Sequence, residues 1–587
     1  MRVIRESKFI QLPQDLRQRF FIQIWYGMVH RNSLDSHRVR CMNSQNILRE
    51  LYGLIQKNLP KIDEDIKKVA EEFLQIIGKD NIIQNHFNQH IERINPLLKD
   101  YNAKHKSIIS FYLKDFINNI KTQYKELILS ELEKAIYHGG ELVDIYHYTG
   151  ALLSTLIDEG HSIEGLFSIS QNIFIDNKSS PAKSFKDNFD FFKKIISREN
   201  STYEIIFRLE GCKKSNLLPP QVASLALQKD FSIKTDDERV KSFLSPGQGV
   251  IFAILQVKSQ DDRSAGIIAK KFLDEILDLI RFELEQELIS TSPEYISVRK
   301  EKDDARIYRL PVHIPNPQKN IQPEDFVKFT RSIDDIFKNE SIERESLEKI
   351  KSAFRFYRMG RDSEQFENKL LNWWTGLEYL VRKGEQGPII QEVEKKLTCT
   401  LSLNYLSKHL ESYKNTLSFC NIMPSENACA QYNISNYREL SLKDFFLLIK
   451  DQHEHTHICQ GLLPAFPQVH FHATWFKDQI KDTEATSKFI SRHEERLSWH
   501  IFRIYRTRCD IAHSAEYTLN LTLLCANLEY YLKSILFFTI MQFGKYNAIQ
   551  SLKELFERTE WAYKRLKDEL KINKDNYLIY FLEFGGL

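Results

Sequence analysis

At 587 residues the chain is long enough for two to four domains with substantial cores. Its 42% hydrophobic and 27% charged residues read as a globular protein, and only 20 Gly and 16 Pro argue against a loop-rich all-β fold. A net charge of +3 excludes a global basic field of the kind that coats a duplex, so any nucleic-acid contact must be local. The eight cysteines have no paired spacing and read as reduced thiols. The N-terminal MRVIRESKFIQL lacks an apolar signal core, and no run reaches the roughly 18 apolar residues of a membrane span. The expected location is therefore the cytoplasm, with no membrane partner.

In chain order, residues 1–200 are predicted to be a helical region. Ile62, Ile66, Val69, Phe73 and Ile76 recur at helical spacing, and Gly78 stands where a C-terminal cap belongs. Residues 201–315 read as a small α/β module. Tyr203 to Glu210 and Gly249 to Val257 are expected strands, and a helix follows with Ile268, Phe272, Ile276, Leu279, Ile280 and Leu284 on its apolar face. Tyr295–Arg299 and Ala305–Leu310 should pair across the charged turn KEKDD. Pro246-Gly247-Gln248-Gly249 lacks the lysine and hydroxyl pair of a phosphate loop. The run PVHIPNPQKNIQP marks a linker.

From 316 to 545 the chain turns helical again, with 398–468 its least regular part, and 546–587 is a helical tail. His453, His455 and His457 would point to one side of an extended segment, a weak zinc signal beside the plainer reading of an exposed loop; no metal or other cofactor is expected.

Most chemistry lies in Arg496 to Leu536. Leu497, Ile501, Ile504 and Ile511 form an apolar stripe at helical spacing, and Arg508 falls on it. A guanidinium carries five donors and no acceptor, so a place among apolar neighbours asks for an anion. Glu378, on the aromatic segment Phe366 to Arg382, is the first carboxylate to try as that partner. On an unbroken helix His513 lies about 140° around from Arg508, so the helix must end or bend near it, or a second chain must complete the site. Arg496, Arg503 and Arg506 are local candidates for RNA binding, with a solvated face as the plain alternative.

Arg508-Cys509-Asp510-Ile511-Ala512-His513 followed by a long apolar helix, with FENKLLNWWTGLEYLVR upstream, resembles the HEPN domain with its RxxxxH motif, in particular the ApeA-like group of bacterial anti-phage defence. The resemblance covers about residues 345 to 545 and implies a mainly α protein with a C-terminal HEPN helical bundle. It implies a metal-independent endoribonuclease of abortive infection that cuts cellular RNA or tRNA at a dimeric site, Arg508 holding the phosphate and His513 moving the proton. It further implies a homodimer or higher even oligomer and a phage-derived trigger. Cys509 stands where active members of the family carry a polar residue, with Asp510 next to it as a substitute. That departure keeps open a catalytically idle HEPN scaffold that binds nucleotide, RNA or a partner protein.

Overall fold

The computed structural model describes residues 3–5, 8, 13–30, 33, 42–57, 62–176, 184–212, 218–283, 289–301, 304–310, 323–382, 389–463, 465–514, 521–546 and 548–584, with the backbone alone at 283, 323–326, 328, 513 and 514. The fold is mainly α, with one small antiparallel sheet. The chain forms two compact units, one of residues 1–151 with 314–587 and one of residues 152–313. This division differs from the expected one. The N-terminal helices are not a region apart but belong to the same unit as the proposed HEPN bundle, and the PVHIPNPQKNIQP linker lies almost wholly outside the described residues.

The larger unit opens with α1 (Leu16–Val29), α2 (Ser44–Gln56), α3 (Ile62–Ile77), α4 (Asn81–His86), α5 (Asn88–Lys99), α6 (Lys106–Tyr137) and α7 (Leu142–Asp158), within which the unit boundary falls. Helix α3 follows its predicted stripe, burying Ile62, Ile66, Val69 and Phe73. Asp15, Asn43 and Asp80 cap α1, α2 and α4 by accepting from free amides of the first turns.

In the smaller unit α8 (Ile163–Ser170) and α9 (Phe185–Ile196) precede a sheet of β1 (Ser201–Glu210), β2 (Gln221–Val222), β3 (Leu225–Gln228), β4 (Ile251–Ser259), β5 (Ser290–Arg299) and β6 (Asp304–Arg309). The strand order is β2-β3-β4-β1-β5-β6, and the predicted hairpin forms with Tyr295 opposite Tyr308. Helix α10 (Glu238–Phe243) lies between β3 and β4 in sequence and α11 (Asp262–Glu283) between β4 and β5. The face of α11 is the predicted one only in part: Ile276 is buried and Ile268 and Ile280 pack against the core. Ala265, Ala269, Leu273 and Leu277 are buried, whereas Phe272 and Leu279 are exposed. Small residues at fourfold spacing let the helix lie close on the sheet; a Cβ at Gly266 would collide with the Tyr295 ring.

The larger unit resumes with α12 (Pro323–Lys338), α13 (Arg344–Asp362), α14 (Phe366–Val381), α15 (Ile389–Leu403), α16 (Tyr405–Phe419), α17 (Glu426–Tyr432), α18 (Leu442–Lys450), α19 (Gln452–Leu462), α20 (Pro467–Ile480), α21 (Thr483–Ser514), α22 (Leu521–Lys545), α23 (Leu552–Lys571) and α24 (Asn576–Phe584). One apolar core joins α12 to α15 with α21, α22 and the first half of α23. A second gathers α16 to α20 with the N-terminal part of α21, the rest of α23 and α24. The stretch expected to be irregular is therefore largely helical, and the C-terminal segment is built into both cores. His453, His455 and His457 sit on α19 rather than on an extended segment, so the three do not point to one side: His453 and His457 share a face of the helix and His455 lies opposite. Helix α22 is long and apolar enough to cross a membrane, but 78% of its apolar window is buried, as in a core helix.

Two lysines end helices inside the first core. Lys369 donates to the Gly360, Arg361 and Ser363 carbonyls at the end of α13, and Lys396 to Val381 at the end of α14. Each satisfies carbonyls that have no intrahelical donor.

Burial holds the imidazoles of His409 on α16 and His472 on α20 neutral, pushing both down to about 3. The unfolded chain protonates such groups near 6.5, so stability is full above that pH and falls as pH drops toward about 3. Each histidine then contributes a slope of about 1.4 kcal/mol per pH unit. Melting at pH 7.5 and pH 5 should show a smaller acid loss for His409→Gln than for the parent chain; equal losses would refute the assignment.

Candidate functional site

The predicted stripe positions α21. Leu497, Ile501 and Ile504 are fully enclosed in the core shared with α14 and α22, and Ile511 packs partly against it. On α22 Leu521, Leu524, Cys525, Leu528, Leu532, Ile535 and Leu536 are buried, and so are Leu523, Tyr531, Phe538 and Ile540 on its other sides. On α14 Trp373, Trp374 and Leu377 line the same core. A Cβ at Gly376 would press on Leu532 and Phe356, so its absence lets α14 approach α13 and α22 closely.

Arg508 stands on this stripe near the end of α21, half-buried. It forms no ion pair among the described residues. Around it lie Tyr505, Cys509, Trp374 and Glu378. The Tyr505 ring is 5.5 Å from Trp374. Burial raises the Tyr505 phenol above its ordinary range, the neighbouring Cys509 thiol and a hydrogen bond with it add to this, Arg508 opposes it and Glu378 adds a little. The phenol thus stays protonated at neutral pH and is a donor beside Arg508.

Glu378 is not the ion-pair partner expected for Arg508. One turn along α14, the Trp374 indole N–H donates to its Oε1 at 2.5 Å, so the carboxylate is fixed by an indole of its own helix. Arg508 keeps its donors for another anion.

Asp510 was expected to stand in for the missing polar residue after the motif arginine. Instead its Oδ1 lies 3.1 Å from Lys57 Nζ, just past the end of α2. Cys509 is engaged with Tyr505.

Helix α21 continues through His513 and stops at Ser514. The His513 side chain lies outside the described residues. By helical geometry its position is about 140° from Arg508, and within about 80° of arc it shares a side with Arg503, Arg506 and Asp510. One copy of the helix therefore carries the motif Arg and His on different faces.

Two of the three arginines put forward for RNA contact are enclosed by the N-terminal helices. Arg503 donates through Nε and Nη2 to both oxygens of Glu50, at 2.8 to 3.1 Å, and to Glu72 at 2.5 Å. Arg506 donates to Glu50 and lies 3.8 Å from Asp65. The reason is charge: a buried carboxylate and a buried guanidinium each need the other. Burial alone would raise Glu50, but the two guanidiniums bring it below the usual carboxylate range. Arg496 remains exposed.

Glu50, Asp65 and Glu72 were not singled out from the sequence. The one signal was Glu72, which interrupts the buried face of α3 between Val69 and Phe73. Comparison with protein-family models, with curated proteins and with solved structures gives no match to this chain.

Proposed function

We propose that this protein is a metal-independent endoribonuclease of the HEPN type, acting on cellular RNA or tRNA in anti-phage defence in the cytoplasm. The observation that carries the reading is Arg508: a half-buried guanidinium without an ion pair among the described residues, a turn and a half before the helix end that bears His513. Such a group is a receptor for a phosphate, which it can grip with two parallel hydrogen bonds.

The chemistry needs no metal when the nucleophile is the RNA's own 2′-hydroxyl. His513 takes its proton, the oxygen attacks phosphorus, and Arg508 stabilises the charge that develops on the phosphoryl oxygens as the 5′-oxygen leaves. Because Arg508 and His513 face different sides of one α21, the reading requires a homodimer or higher even oligomer in which two motifs form a composite site.

The test is cleavage of total cellular RNA in the presence of a chelator by the parent chain and by His513→Ala, both checked for equal folding. Cuts that vanish in the variant support the reading. Metal-independent cuts that persist in the variant overturn it.

A second reading, an idle HEPN scaffold, is favoured by the engagement of Cys509 with Tyr505 and of Asp510 with Lys57, which leaves the motif without a polar assistant. Cys509→Asn separates the two: an enzyme keeps or gains activity, a scaffold stays silent.

A further inference from the structure

Helices α2 and α3 meet α21 through polar groups. Besides the Arg503 and Arg506 cluster and the Lys57–Asp510 pair, Lys68 donates to Ser498 Oγ at 3.0 Å and stands 4.4 Å over the Phe502 ring, and Gln75 donates to Glu495 at 3.2 Å. The apolar core under the opposite side of α21 contains no residue of α1 to α7. Within the one compact unit, these polar contacts thus lie on the side of α21 away from its main core, with Phe502 buried under Lys68 among them.

The cluster has the form of a phosphate site. A single carboxylate, Glu50, is held by both its oxygens on Arg503 while one of them also receives Arg506, which is how two guanidiniums grip a phosphodiester. The Arg503 side chain is 9% exposed and that of Arg506 12%. Arg506 still has a donor to give: its Nη1 is buried without a hydrogen-bond partner, with Asp65 only at 3.8 Å. Both arginines lie on the His513 side of α21, so a strand bound there would run toward the motif histidine.

We infer that Arg503 and Arg506 form an RNA-backbone site of this chain, covered by α2 and α3, whose Glu50, Asp65 and Glu72 occupy the positions of phosphates. The cover lifts when RNA takes the arginines. This inference rests on the ribonuclease reading for its ligand.

The experiment uses the full chain and a short single-stranded RNA with 2′-O-methyl sugars, which cannot be cut. Glu50→Gln is expected to bind it at least about tenfold more tightly than the parent, because the arginines no longer have to give up a carboxylate that both of them hold. In the parent chain the RNA is expected to speed amide hydrogen exchange across 44–77. Equal affinity in the variant, with exchange in α2 and α3 unchanged by RNA, would overturn the inference and leave the cluster as cohesion of the fold. If Glu50→Gln does not fold, Asp65→Asn replaces it, since that carboxylate meets only one guanidinium and at 3.8 Å. The uncut probe separates the two readings. Binding that opens α2 and α3, without cleavage of natural RNA, refutes the ribonuclease alone; cleavage of natural RNA with none of these changes refutes the covered site alone.

Discussion

Arg508→Ala should lower RNA cleavage by about two to three orders of magnitude, the effect of removing one preorganised donor from a developing oxyanion, while leaving the fold intact. The second half of that expectation comes from the structure. Arg508 is half-buried and has no ion pair among the described residues, so alanine strands no carboxylate. Glu378, the residue a salt-bridge account would leave exposed to the loss, is already bound by the Trp374 indole. Melting of the variant within about 1 kcal/mol of the parent is therefore expected, in the range of ordinary surface changes. The measurement is cleavage under chelator together with a melting curve. Loss of activity with an unchanged melt assigns Arg508 to the phosphate. A variant that unfolds instead makes Arg508 a structural residue, and one that cuts normally removes it from the site.

How far the sequence could go is visible in α21. Its buried stripe was legible because helical spacing reports which face meets a core, and Leu497, Ile501 and Ile504 are enclosed as that spacing requires. On α11 the same rule held only in part: Ile276 is buried, but the helix packs also through Ala265 and Ala269, residues too small to dominate a hydrophobic pattern, while larger Phe272 and Leu279 face out. Partners of charged groups were beyond the pattern altogether. Arg503 meets Glu50 and Glu72 more than 400 positions away in the chain, and nothing local distinguishes an arginine bound for such a cluster from one on a solvated face. The same blindness paired Glu378 with Arg508, when an indole four residues earlier on α14 was the closer donor.

Arg503→Ala carries the opposite expectation to Arg508→Ala, although the two lie on one helix five residues apart. Arg503 is enclosed, and three of its hydrogen bonds go to Glu50 with a fourth to Glu72. Removing it leaves two carboxylates facing each other out of water with Arg506 as their nearest cation, a loss of about 3 to 5 kcal/mol for breaking a buried pair from one side. Arg503→Lys should recover only part, because an ammonium is a point charge and cannot bind both Glu50 oxygens in a fork while reaching Glu72. Replacing Arg503→Met together with Glu72→Gln, which leaves Glu50 paired with Arg506, should cost less than the single alanine, since it removes one stranded charge along with its partner. Chemical denaturation of the three variants checks this. The order expected is parent, then lysine or double variant, then alanine as the least stable. An alanine variant as stable as the parent would mean that the cluster bears no net load, and that α2 and α3 are held on the protein by the packing of α2 on α6 and of the two helices on one another.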